Sequence, residues 1–217
     1  MDYITLEKIL SRERLTPYLT KHKGDYLKAL IHYKANIRIS ESFYSSISVL
    51  EVGLRNNIDK QLKRKYSAFN WYDQPDFIRV VSGFQTDRIR KAKERVLQEN
   101  KEITPGRIIA ELTFGFRASF FDAKFERILW KDLRLVFPKC PKSIRQRRTV
   151  CSKLNSIRKL RNRIFHHEAI SWNIDALNFY RREISEGISW LDGDLTAFFS
   201  DTFRIEDVLI AEHKNIV

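Results

Sequence analysis

Residues 43–65, FYSSISVLEVGLRNNIDKQLKRK, decide the fold: Phe43, Ile47, Leu50, Leu54 and Ile58 recur at steps of three and four. An α-helix needs that period to gather apolar side chains on one stripe, and the run is too long for a strand. Ser40 or Ser42 stands where a helix cap is wanted, and Trp71, Asp73 and Pro75 mark a loop after the run. Upstream, from Tyr26, the apolar residues Leu27, Leu30, Ile31, Tyr33 and Ile37 keep the same steps. Downstream, a helix is expected over about 86–99, and Thr104-Pro105 reads as an N-cap followed by proline at the first helical position. Residues 108–121 are apolar or aromatic on most sides, so Phe114, Phe116, Phe120 and Phe121, with Phe125 beyond them, read as core. Further helices are expected over about 122–137, 143–165, 175–191, 194–199 and 205–212.

No stretch alternates with period two between hairpin turns, so strands are not supported. Only 7 Gly and 5 Pro occur in 217 residues, which makes turns few and elements long. The expectation is an all-α bundle of long helices with additional short ones. It forms a single domain over 1–217, with its core at about 20–200 and peripheral short helices at both ends.

Hydrophobic content of 43% and charged content of 31% fit a chain that buries a core rather than a disordered one. No run of about 18 uncharged apolar residues is present, and MDYITLEKIL lacks the pattern of a secretory signal. A cytoplasmic protein with no membrane partner is therefore expected. Cys140 and Cys151 read as free thiols; without a nearby histidine pair they do not complete a zinc site, and no metal or cofactor is expected. There is no Gly-rich phosphate loop, no GxSxG elbow and no Walker-type lysine.

The net charge is +13, and the isoelectric point is near 9.8, which biases partners towards polyanions. The charge is concentrated: Lys142, Arg145, Arg147, Arg148, Lys153, Arg158, Lys159, Arg161 and Arg163 follow one another with no acidic residue between them. Self-repulsion along such a run argues for an anionic partner, and RNA is the one expected.

The run ends in residues 160–173, LRNRIFHHEAISWN. Arginine offers a fixed cation for phosphate, and histidine exchanges protons near neutral pH. On a helix Asn162 and His166 share a face with Arg158, whereas Arg161 and His166 lie about 140° apart around the axis. Arg161 and His166 can converge only at a helix end, through a bent arginine, or across a symmetry axis between two copies. Two structural readings stand beside the chemical one. His166 and His167 suit a helix C-terminus electrostatically, and Glu51 with Arg55 is either an i,i+4 surface pair or part of a polar brace.

Arg161-Asn162-Arg163-Ile164-Phe165-His166-His167-Glu168, with Trp172-Asn173 after it, resembles the signature of bacterial Abi-like (abortive infection) proteins of the HEPN superfamily. Val49 to Ile58, VLEVGLRNNI, resembles the same family on a second helix. The resemblance implies a helical bundle that dimerises, with the arginine–histidine motifs meeting in a composite cleft. It also implies metal-independent endoribonuclease activity in antiphage defence; a further reading is a toxin held inactive by a cognate antitoxin protein or small RNA. By position, Arg161 and His166 become the catalytic pair and Asn162 the polar orienter, with His167, Glu168, Glu51 and Arg55 in support. A tyrosine that some HEPN toxins carry two residues after the histidine is Glu168 here. The alternative of a different class is an RNA-binding or scaffold protein that keeps the fold without catalysis.

Overall fold

The apolar stripe of residues 43–65 becomes a long central helix in a computed structural model that describes residues 3–216. In chain order the helices are α1 (Tyr3–Leu10), α2 (Arg12–Lys21), α3 (Tyr26–Ser42), α4 (Tyr44–Tyr66), α5 (Pro75–Val80), α6 (Gly83–Gln98) and α7 (Pro105–Glu111). They continue with α8 (Phe114–Ser119), α9 (Glu126–Leu133), α10 (Arg147–Phe165), α11 (Ile174–Leu191), α12 (Leu195–Phe198) and α13 (Ile205–Ile216). No strand occurs among the described residues, so the fold class is all-α. None of the described helices is long and apolar enough to cross a membrane.

α4 buries Ile47, Leu50, Leu54, Ile58 and Leu62, the stripe its spacing predicts. It packs against α11 and α9, while α10 packs against α11 and α8, and α3 against α13 and α2. α11 comes close to α4 at two glycines. A Cβ on Gly53 would meet Leu191 Cδ1 at 2.8 Å, and one on Gly187 would meet Leu50 Cδ1 at 3.3 Å. Gly53 is thus a packing residue inside the VLEVGLRNNI stretch. The buried apolar residues from Ala35 to Ile216 join into one cluster, each fully buried aliphatic contributing about 1.5–3 kcal/mol against exposure.

Several local expectations change. α3 forms, but its buried face is Ala29, His32, Ala35, Asn36 and Ile39, whereas Leu27 and Ile37 remain 69% and 50% exposed. The alanines admit neighbouring helices closely, and the polar members of the face are satisfied. Asn36 Oδ1 accepts from the backbone N–H groups of Ile170 at 2.8 Å and Ser171 at 3.1 Å. Neither Ser40 nor Ser42 caps α4, because both belong to α3 and the Ser42 hydroxyl donates back to Ile39 O at 2.7 Å. Buried Phe43 makes the junction instead. The helix expected over 122–137 is α9 flanked by single 3-10 turns, Ala123–Phe125 and Arg134–Val136. α10 starts at Arg147 rather than 143, since the N–H groups of Ile144 and Arg145 both bond to Pro141 O and close a turn first. Thr104 does cap α7, accepting from Arg107 N.

Candidate functional site

α10 carries the arginine–histidine motif, and α4 braces it. Arg161 Nε donates to Glu51 Oε1 at 3.0 Å, and its guanidinium lies 4.2 Å from the Phe165 ring centroid. Glu51 therefore turns to α10 rather than to Arg55, whose Nε donates to Asn56 Oδ1 at 3.2 Å. Of the two readings left open by sequence, the polar brace is the one adopted.

His166 is the C-terminal cap of α10, and its N–H bonds to Asn162 O at 2.9 Å. The chain then closes a Schellman turn, with His167 N on Ile164 O at 3.0 Å and Glu168 N on Arg163 O at 2.8 Å. His167 takes a left-handed backbone conformation, φ 57°, one that histidine tolerates better than most L-residues. Its carbonyl accepts from the Arg14 guanidinium of α2. Glu168 pairs with Arg163 at 3.4 Å, and Arg163 also donates to Ala169 O. The rest of the motif is structural too. Asn173 caps α11 by accepting from Ala176 N at 2.9 Å, and Trp172 packs on Tyr18 and His32 with centroids 4.8 and 5.1 Å away. His32 is fully buried in a relay: it shares hydrogen bonds with His22 Nε2 at 3.0 Å and with Ser171 Oγ at 2.9 Å.

Within one chain Arg161 and His166 are not brought together; among the described residues no hydrogen bond or ion pair joins them. Arg161 lines a cleft of about 260 Å³ with Glu51, Arg55, Thr113 and Arg117. His166 stands exposed at the helix end. Next to it His167 borders a larger groove of about 670 Å³, walled by Ile9, Ile37, Tyr44, Ile164 and Phe165. Tyr33 and Ile37 of α3, which the periodicity assigned to the core, thus line an open groove beside the motif.

The basic run divides by burial. Lys142, Arg148 and Lys159 are exposed. Arg145 donates to Phe137 O, and Arg147 donates to Phe121 O and pairs with Glu126 at 2.9 Å, so both are partly committed to the fold. Arg158 is half-buried, with Nε enclosed and unpartnered among the described residues.

Lys153 corrects the expectation of a nucleic-acid contact. Its side chain is 7% exposed, its ammonium pairs with Glu183 at 2.6 Å and Glu186 at 2.7 Å, and it sits over Trp190. It faces inward because its position falls on the Val150–Leu154–Ile157 face of α10. Glu183→Ala is expected to destabilise the protein by about 2 kcal/mol in urea unfolding, because the buried cation loses its better-shielded partner. Lys153→Met, filling the same space without charge, should cost much less; equal losses would contradict the burial argument.

One residue of the site was not read from the sequence. Arg117, on α8, is 6% exposed and lines the same cleft as Arg161. Burial pulls its guanidinium down to about 10, with Glu51 opposing and Arg55 and Arg161 adding to the shift, so it remains charged at neutral pH. The available signal was an arginine set among Phe114, Phe116, Phe120 and Phe121, where a charge needs a reason. Set against protein-family models, curated proteins and solved structures, the chain has no match.

Proposed function

We propose that the protein is a metal-independent endoribonuclease of the HEPN type, working as a homodimer with a composite cleft. Its role is that of an antiphage abortive-infection or toxin effector in the cytoplasm, restrained by a cognate antitoxin protein or small RNA. The observation that carries the reading is the 3.0 Å bond from Arg161 to Glu51. It fixes the motif arginine in a cleft while the motif histidine projects from the end of the same helix, ready to serve a second copy. The exposed apolar groove beside that end is a surface on which a second copy can bury Ile37, Tyr44 and Phe165.

In this mechanism the neutral imidazole of His166 takes the proton of a ribose 2′-hydroxyl. The 2′-oxygen attacks the adjacent phosphorus, the bond to the 5′-oxygen breaks, and a proton returns to the leaving oxygen. Arg161 balances charge on the phosphoryl oxygens. The products are a 2′,3′-cyclic phosphate and a free 5′-hydroxyl. Incubating the full chain with structured and unstructured RNA in EDTA tests this. Cleavage to cyclic-phosphate ends, absent in Arg161→Ala and His166→Ala, is the expected outcome; both variants cutting like the parent would remove the site assignment. The same bond bears on a second reading. Arg161 already has a carboxylate partner, as it would in a non-catalytic RNA-binding protein of this fold, and RNA binding without any cleavage would select that reading.

A further inference from the structure

The cleft beside the motif holds more positive charge than the fold neutralises. Of its three arginines, Arg161 is matched by Glu51 at 3.0 Å. Arg55 meets only the Asn56 carboxamide, and Arg117 only the Ile109 carbonyl at 3.3 Å; neither has a carboxylate ion pair among the described residues. Glu111 also lines the cleft and lies 3.9 Å from Arg95, which does not, so three arginines face two carboxylates there. A buried guanidinium with one long bond to a neutral acceptor, facing a second unpaired guanidinium, is unfavourable for the empty protein. An anion entering the cleft removes that penalty.

The shape of the cleft narrows the anion. Its roughly 260 Å³ equals about nine water volumes, enough for a phosphoryl group and an attached sugar but not for a stacked strand. Planar guanidinium groups bond phosphate oxygens in pairs, which suits a tetrahedral oxyanion over a halide. We propose that Arg55 and Arg117 form a phosphate-binding subsite next to Arg161, which holds a phosphoryl group of a ribonucleotide. The identification with a ribonucleotide rests on the function proposed above; the phosphate subsite itself does not.

The experiment uses the full chain and requires no turnover. Inorganic phosphate and adenosine 5′-monophosphate are titrated by calorimetry, with adenosine as the control lacking phosphate, and melting is followed in phosphate against chloride at equal ionic strength. The parent is expected to bind both phosphates, not adenosine, and to melt higher in phosphate. Arg117→Met, which replaces a buried charge by an apolar chain of similar length, and the half-buried Arg55→Gln should each weaken phosphate binding by about ten- to a hundredfold. Arg79→Gln, at an exposed arginine that does not line the cleft, should bind as the parent does, and because no turnover is read, a failure of the nuclease reading is told apart from a failure of this one. The dinucleotide ApA distinguishes the sources. Tighter binding of ApA than of the monophosphate assigns the subsite to an internal phosphodiester, and the reverse assigns it to a terminal monoester. Parent-like phosphate affinity in both arginine variants, or no phosphate-specific binding by the parent, overturns the proposal.

Discussion

Mixing two inactive variants, Arg161→Ala and His166→Ala, is expected to restore RNA cleavage. Each alone should lose about a hundred- to a thousandfold in rate, the usual effect of deleting a charge-stabilising donor or a general base. In one chain no hydrogen bond joins the two residues among those described: Arg161 lines the cleft with Glu51, and His166 is exposed at the helix end. If a site takes its arginine from one copy and its histidine from the other, a mixed dimer keeps one intact pair and one doubly damaged pair. Random pairing then returns about a quarter of the parent rate per chain, because isologous dimers form statistically. A site built within one chain returns nothing on mixing. The measurement is cyclic-phosphate yield in EDTA from co-refolded variants, and no recovery would exclude a site that pairs the arginine of one copy with the histidine of the other.

The second large effect is acid sensitivity seated on α3. Burial first, and the neighbouring His22 and Lys21 next, hold the His32 imidazole down at about 4 against an ordinary 6.5. Between those two values the unfolded chain binds a proton that the folded chain refuses, so stability falls as pH drops from 6.5 towards 4 and levels off below. The span is worth on the order of 3 kcal/mol. Urea unfolding of the parent and of His32→Gln at pH 7, 6, 5 and 4 isolates it. The variant should start lower, having lost the fit to His22 and Ser171, and then decline less steeply. Parallel declines would show that His32 contributes nothing to the acid response. Because His32 bonds to Ser171 and meets Trp172 edge to face, this acid loss is expected to loosen the chain directly behind the motif.

Helices α4 and α10 were legible because their apolar residues repeat with the helical period and are buried where the period says. α3 shows the limit of that logic. Its period announced a helix, but Leu27 and Ile37 face outward, and the buried face is made of Ala29, His32, Ala35 and Asn36. Hydropathy cannot rank such residues, since their burial depends on partners distant in the chain, as Asn36 depends on Ile170 and Ser171. The same holds for charge. Lys153 and Arg148 look alike in the basic run, yet one is enclosed by Glu183 and Glu186 from α11 and the other meets solvent. At the candidate site the motif residues were legible as a pattern. The partnership of Arg161 with Glu51 joins residues 110 apart, which spacing does not reveal, and Arg117 stands in an aromatic run whose spacing reads as packing.

The eight residues from His166 to Asn173 that join α10 to α11 are fastened along their length. His167 O is held by Arg14, Ile170 N and Ser171 N by Asn36, and Ser171 Oγ by His32, and Asn173 caps the next helix. A joint anchored this often has a fixed length as well as a fixed path. One inserted residue would slide every later anchor out of register, and one deletion would pull Asn173 off the start of α11. The joint can therefore exchange side chains between its anchors more readily than it can lengthen or shorten.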